Sequence, residues 1–277
     1  MTDRRLYPVT PRLAHSSLRG QVDVPLTDGE ACEIAAPLAD LLAAPDGALD
    51  RQLVYGEGFC VIDRAADYAF GFARKDGYCG WVLAQGLRPA TAATHWVFGL
   101  SSHLYPKPRV QSPPQHALPF GANVQVLGTQ GNFAQTPQGF VPLPHLRALR
   151  HSLPDPVTTA EMFLGVPYLW GGNSAAGIDC SGLVQAALLA SGVFAPADSD
   201  LQQSLGTDAA GSPWRRGDLI FWNGHVGLVV DGARLIHANG HTMSVAYEVI
   251  TDCIQRIAAA GGGDVTHHRR ISSAINQ

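Results

Sequence analysis

Cys180 stands in GIDCSGLVQAALLASGV, residues 177–193, between Asp179 and Ser181 and just where an apolar run begins. Leu183, Val184, Ala187, Leu188 and Leu189 have helical spacing, and Gly192 sits where a C-terminal cap belongs. The thiol is therefore expected at or beside a helix N-terminus. A thiol attacks as the thiolate, and the partial positive charge of a helix start is expected to lower its pKa from about 8.5. The unpaired N–H groups there can also hold an oxyanion formed on a carbonyl. Position alone leaves two readings open, nucleophile or packing residue.

A nucleophilic cysteine needs a base within hydrogen-bond reach and a third group to orient that base. Candidates lie in RRGDLIFWNGHVGLVVDGARLIHANGH, where DLIFW, HVGLVV and RLIHA read as strands separated by Asn-Gly and Asp-Gly turns. His225 opens the second strand and His237 lies in the third. A two-residue turn at Asp231-Gly232 would put the two rings on opposite faces. A three-residue turn, Asp231 to Ala233, would pair Gly227 with His237 and leave His225 diagonal to it on one face, about 7 to 8 Å away between α carbons. The longer turn is predicted. Each histidine could instead be an ordinary hydrogen-bonded strand residue. Zinc is a further alternative, because His237 and His241 are four apart and His267 and His268 adjacent, but no carboxylate or second cysteine has zinc spacing near them. No metal and no cofactor is expected.

The elements that must position these groups fall into two regions that meet near His151. After it, HSLPDPVTTAEMFLGVPYLWGG carries a helix-start signal, with Thr158 or Thr159 as cap, Glu161 in the first turn, and Gly165-Val166-Pro167 as the stop. Before it, alternating apolar residues with turn residues between them read as strand meanders, at Phe59 to Leu87 and again from His95 to Leu149. YCGWVLAQGL and QGFVPLPHLRAL look like copies of one unit, and the Pro-rich SSHLYPKPRVQSPPQHALPFG reads as a long loop of the second copy. Residues 1–30 show no strong period and are expected to be an arm. Trp170, Trp214 and Trp222 are expected in the core or a cleft wall, and Asp198, Asp200 and Gln202 either border the cleft or cap a turn.

With 277 residues, 46% hydrophobic, and a formal charge of −4, the chain has ordinary globular composition and no basic stripe for nucleic acid or anionic membrane. No stretch approaches the apolar length of a membrane span, roughly 18 to 20 residues. The first residues, MTDRRLYPVTPRLAHSS, lack the apolar run of about 7 to 15 residues of a secretory signal. The five cysteines are odd in number and have no C-x-x-C spacing. Reduced thiols in a cytoplasmic protein are expected.

The joint pattern P-Y-L-W-G-G-N-S-A-A-G-I-D-C-S-G-L-V, then R-G-D-L-I-F-W, then G-H-V-G-L-V-V and L-I-H-A, over about residues 155 to 250, resembles the NlpC-type cell-wall cysteine peptidases. The YGE turn at Tyr55 to Glu57 and G-Y-x-G-W-V at Gly77 to Val82 resemble the bacterial SH3-like barrels that precede such domains. The resemblance implies an α+β, papain-like peptidase domain at 151–277 behind an arm at 1–30 and two small SH3-like β-barrels at 31–90 and 91–150. It implies Cys180 as nucleophile, His225 as general base and then acid, His237 as the residue that orients it, and Tyr168 facing the thiol. The subgroup that recycles murein (peptidoglycan) peptides cuts between γ-D-glutamate and a diamino acid in short wall peptides with a free N-terminal L-Ala. By that likeness Asp179 and Ser181 would bind the substrate amine and backbone, with Glu57 and Tyr78 of the first barrel in the same pocket. The competing functions are a catalytically dead wall-peptide binder and a thiol amidase or acyltransferase acting on another acyl group.

Overall fold

A computed structural model describes residues 2–271, and the chain divides between Arg150 and His151 into two compact units. Strands predominate and helices are few.

In the first unit, seven antiparallel strands form one sheet in the order Leu49–Val54, Leu38–Leu42, Cys79–Leu83, Tyr68–Ala73, Gly58–Ala65, Glu30–Ile34, Leu87–Pro89. The expected meander from Phe59 to Leu87 supplies the middle of this sheet. Residues before Glu30 pack on it: Leu13 joins Ile62, Phe70 and Cys79, and Arg12 meets Asp63 at 2.6 Å. Gly56, in the YGE turn, has φ +71°, and a Cβ there would lie 2.0 Å from the Asn123 carbonyl oxygen, so only glycine fits. The later strands of this unit enclose a second core of Val97, Leu104, Leu118, Val124, Val141 and Leu146. Here the Pro-rich insert departs from the expected loop. Its ends pair as Ser101–Leu104 with His116–Pro119, because the prolines cluster between these strands and leave their donors free. Both predicted copies run strand, 3₁₀ turn, short strand: Cys79–Leu83, Ala84–Gly86, Leu87–Pro89 and Gly139–Pro142, Leu143–His145, Leu146–Ala148.

The second unit is built on a six-stranded antiparallel sheet in the order Thr207–Asp208, His267–Arg270, Asp218–Trp222, His225–Val229, Arg234–Asn239, Ser244–Val249. Helix α1 spans Pro156–Glu161, α2 Cys180–Ala190, α3 Ser199–Gln202 and α4 Ile250–Ala259. The start of α1 corrects the expected cap. Asp155, not Thr158 or Thr159, accepts from the N–H groups of Val157 and Thr158, and Pro156 occupies the first turn, where its missing donor costs nothing. Glu161 closes this helix rather than opening it, and its carboxylate accepts from the Tyr247 hydroxyl at 2.9 Å.

Helix α2 starts and stops as its sequence indicates, with Asp179 as cap and Gly192 following at φ +75°. Its flank is buried through Leu183, Val184, Ala187 and Leu188. The GGGD stretch after α4 ends that helix: the N–H of Gly261 donates to Ala258 and that of Gly262 to Ile257. Trp222 is fully buried and Trp214 packs against the α4 core, whereas Trp170 is 68% exposed, contrary to expectation. It rides on the glycine loop before Cys180, which carries it clear of the core.

Candidate active site

Cys180 is the first residue of α2 and is buried. The loop that delivers it is tightly laid. Asp179 accepts from the Gly182 N–H at 2.6 Å, the Ser181 hydroxyl at 2.9 Å and the Gly171 N–H at 2.9 Å. A Cβ on Gly172 would meet the Gly177 carbonyl oxygen at 2.5 Å and one on Gly177 the Leu169 side chain at 2.6 Å, while Gly171 has φ +69°, so each glycine of the W-G-G-N-S-A-A-G stretch has a backbone reason. Gln202 braces the same turn, donating to the carbonyls of Ser181 and Pro196, so the sequence's choice between cleft border and turn support resolves toward support.

The backbone amides of Val226, Ser181 and Cys180 itself lie near the sulfur and favour the thiolate. Burial and the Asp179 carboxylate outweigh them, and the thiol is pushed up to about 12. That reverses the expectation from the helix start alone. The helix dipole acts on a residue whose solvation has been removed and whose cap is an anion. Tyr168, half-buried, is raised to about 12, first by burial and then by the charges of Cys180 and Asp179, so it stays a hydroxyl donor close to both.

Val226 follows His225, so its contact with the sulfur brings the thiol to the start of the histidine strand. The register decides where the imidazoles point. Leu228 pairs with Ile236 and Val229 with Leu235, and the Val230 N–H donates to Arg234. Asp231, Gly232 and Ala233 are thus the loop, the longer of the two alternatives, and the same register extended puts Gly227 opposite His237. Both rings share one face, with His225 Nε2 2.9 Å from His237 Nδ1. With Nε2 engaged, Nδ1 is the nitrogen that His225 has left for a thiol. Burial, aided by the Arg256 charge, drops His225 to about 4; burial and His225 drop His237 to about 3. Both rings are neutral at pH 7. The site can therefore transfer a proton between a neutral thiol and a neutral imidazole, beside the backbone donors of a helix start.

Two residues near His237 escaped the sequence analysis. Glu248 Oε2 stands 3.1 Å from His237 Nε2, and Arg256 grips both oxygens of Glu248 at 2.7 Å. The signal available was faint, a glutamate in an alternating strand with an arginine eight residues on. Zinc spacing also has to be revised, because the fold gathers ligand atoms of His237, Glu248 and Cys253 within 4.8 Å of one another. The Arg256 guanidinium already holds the carboxylate and lies 3.7 Å from the Cys253 sulfur, so a dication would have to displace it. His241 is exposed in a turn, while His268 binds Asp218 at 2.7 Å. In the first unit, Glu57 is buried, accepting from the Val54 N–H and pairing with Lys75 at 3.1 Å; Tyr78 is buried beneath Arg51.

A thiol at a capped helix start, beside the opening of an antiparallel strand that carries an imidazole, defines the papain-like cysteine peptidase class. Residues 165–257 match the NlpC/P60 family, and residues 41–87 match the bacterial dipeptidyl-peptidase SH3 domain. The chain thus carries an NlpC/P60 peptidase domain behind a bacterial SH3 domain. It is 34% identical over 108 residues to a γ-D-glutamyl-L-lysine dipeptidyl-peptidase of Bacillus subtilis, covering 36% of each chain. To a protein of the same name from Bacillus cereus it is 30% identical over 129 residues, 44% of this chain and 36% of that one. These matches span about a third of the curated relatives' length. A solved NlpC/P60 family protein from Bacillus cereus shares the fold, with a TM-score of 0.73 at 20% identity over 87% of this chain and 99% of that one.

Proposed function

We propose that the protein is a cysteine endopeptidase that hydrolyses the γ-D-glutamyl–diamino acid bond of murein peptides with a free N-terminal L-Ala, in cytoplasmic cell-wall recycling. One observation carries the reading: Cys180 opens α2, which packs on strand His225–Val229, and the imidazole at the start of that strand is held at Nε2 by a second histidine. The names of the γ-D-glutamyl-L-lysine dipeptidyl-peptidases it resembles support the bond class.

In the proposed reaction the sulfur bonds to the γ-carbonyl carbon while its proton passes to His225 Nδ1, and the carbonyl π pair moves to oxygen, facing the N–H groups of α2. Collapse breaks the C–N bond, and His225 returns its proton to the departing amine. Water then attacks the thioester, giving a proton to His225 that ends on the sulfur as the carboxylic acid leaves. His237 orients His225, and Tyr168 donates to substrate.

Asp179 and Ser181 are proposed to receive the substrate ammonium and backbone. The Asp179 charge is felt at both Cys180 and Tyr168, which supports this role, and an ammonium facing it makes a charge-assisted contact that an acylated stem cannot. Glu57 and Tyr78 are proposed substrate contacts of the SH3 domain; Glu57 Oε1 is buried without a partner among the described residues. The strands of 91–150 are proposed as a second SH3-like barrel, on their repeat of strand, 3₁₀ turn, strand.

The test is product mass analysis on L-Ala-γ-D-Glu-L-Lys and L-Ala-γ-D-Glu-diaminopimelate, each free and N-acetylated. Free peptides are expected to be cut and acetylated ones slowly, with turnover lost by at least about 10³-fold in a folded Cys180→Ala variant. Equal rates for free and acetylated forms would remove the amine pocket; near-wild-type turnover without the thiol would remove the hydrolase.

A further inference from the structure

Three adjacent strands place His225, His237 and Glu248 in one diagonal row. His237 pairs with Ala246, so Glu248, two residues on, shares its face, as His225 does on the other side. The row ends in a charged clamp, since Arg256 of α4 meets Oε1 through Nε and Oε2 through Nη2, each at 2.7 Å. His237 is 1% exposed, and among the described residues its Nε2 has no hydrogen-bonded partner. Glu248 Oε2, 3.1 Å away, is within hydrogen-bond length but outside the angle of a formed bond. A buried ring N–H left unmade is costly, and bonds of this kind tighten when an active site engages its substrate.

We infer that Glu248, clamped by Arg256, is a positioning residue that sets the tautomers of both histidines and so leaves His225 Nδ1 free to accept the Cys180 proton. The inference rests on the Cys180–His225–His237 reading above and deepens it. A neutral imidazole carries one N–H, and the contact between His225 Nε2 and His237 Nδ1 holds a single proton. Were that proton on His237 Nδ1, the bare lone pair of its Nε2 would face a carboxylate. His225 would then carry its own proton on Nδ1 and could take none from the thiol. With the carboxylate at the end of the row, His237 keeps its proton on Nε2 and accepts at Nδ1. His225 then donates from Nε2 and accepts at Nδ1. When the thiol proton arrives, the imidazolium faces an acceptor backed by an anion, and no proton has to leave Glu248.

The wild-type protein tests this without a variant: two-dimensional ¹⁵N NMR of the imidazoles at pH 7 should show both histidines as neutral Nε2–H tautomers. In Glu248→Gln and Glu248→Ala the His237 signals should move toward the Nδ1–H form. With the free murein tripeptides, kcat should fall about 10- to 100-fold with KM nearly unchanged, as when a general base is misdirected. An Nδ1–H tautomer of His237 in the wild type overturns the inference. So do unchanged tautomers and kcat in both variants while Cys180→Ala is inactive. Turnover that survives in Cys180→Ala would instead remove the underlying hydrolase reading, and this inference with it.

Discussion

A thiol pushed up to about 12 beside an imidazole lowered to about 4 does not rest as an ion pair. In the proposed reaction attack is therefore coupled to proton transfer, which assigns the acid limb of the rate profile to His225. The base works while its ring is neutral, so kcat/KM falls as pH drops through the folded pKa. Around this ring, burial and Arg256 favour the neutral form, opposed by Glu248, and neutral His237 is its hydrogen-bonded neighbour. We expect kcat/KM to hold from pH 8 down to about 5, where a solvent-exposed imidazole, near 6.5, would already be mostly protonated. A pH-rate series on the free tripeptide checks this, and a midpoint near 6.5 would show that the ring is solvated in the working protein.

The strand register is what holds these groups together, and the loop Asp231–Ala233 sets that register. Deleting Gly232 should shift strand Arg234–Asn239 by one place and turn His237 to the opposite face. The expected result is lost turnover together with a lower unfolding midpoint, and undiminished activity would mean that the loop does not fix the register. This element was legible because two rings that must cooperate need one face, and only one loop length gives it. The α2 boundaries were legible from the helical spacing of the apolar run and the Gly after it, while the Asp179 cap comes from the structure. The α1 cap differs from expectation because the threonines lie inside the helix, and Asp155-Pro156, three residues before Thr158, is the stronger start. Glu248 was barely legible, through an alternating strand and a distant arginine. Its partners come from another strand and from α4, and no local spacing encodes that meeting. The thiol pKa was misjudged because sequence shows the helix start but not the burial around it.

At the scale of the whole chain, the division at Arg150–His151 matches a change in sequence texture, and the arm before Glu30 belongs with the first sheet through Leu13 and Arg12. All five cysteines are free and buried, and no helix among the described residues is long and apolar enough to cross a membrane. In the proposed chemistry the nucleophile is a side-chain thiol and its base a side-chain imidazole, both in the second unit. Chelator should therefore leave the hydrolysis rate unchanged within about twofold, measured after dialysis against EDTA; a loss restored by added zinc would reassign His237, Glu248 and Cys253 to a metal centre. Burial of the Cys180 sulfur, which favours its protonated form, has a consequence beyond catalysis. Peroxide reacts with thiolates, so a nucleophile that ionises only as it attacks offers oxidants little purchase between turnovers. Such a protein should outlast an oxidative burst that silences hydrolases storing their sulfur as an anion.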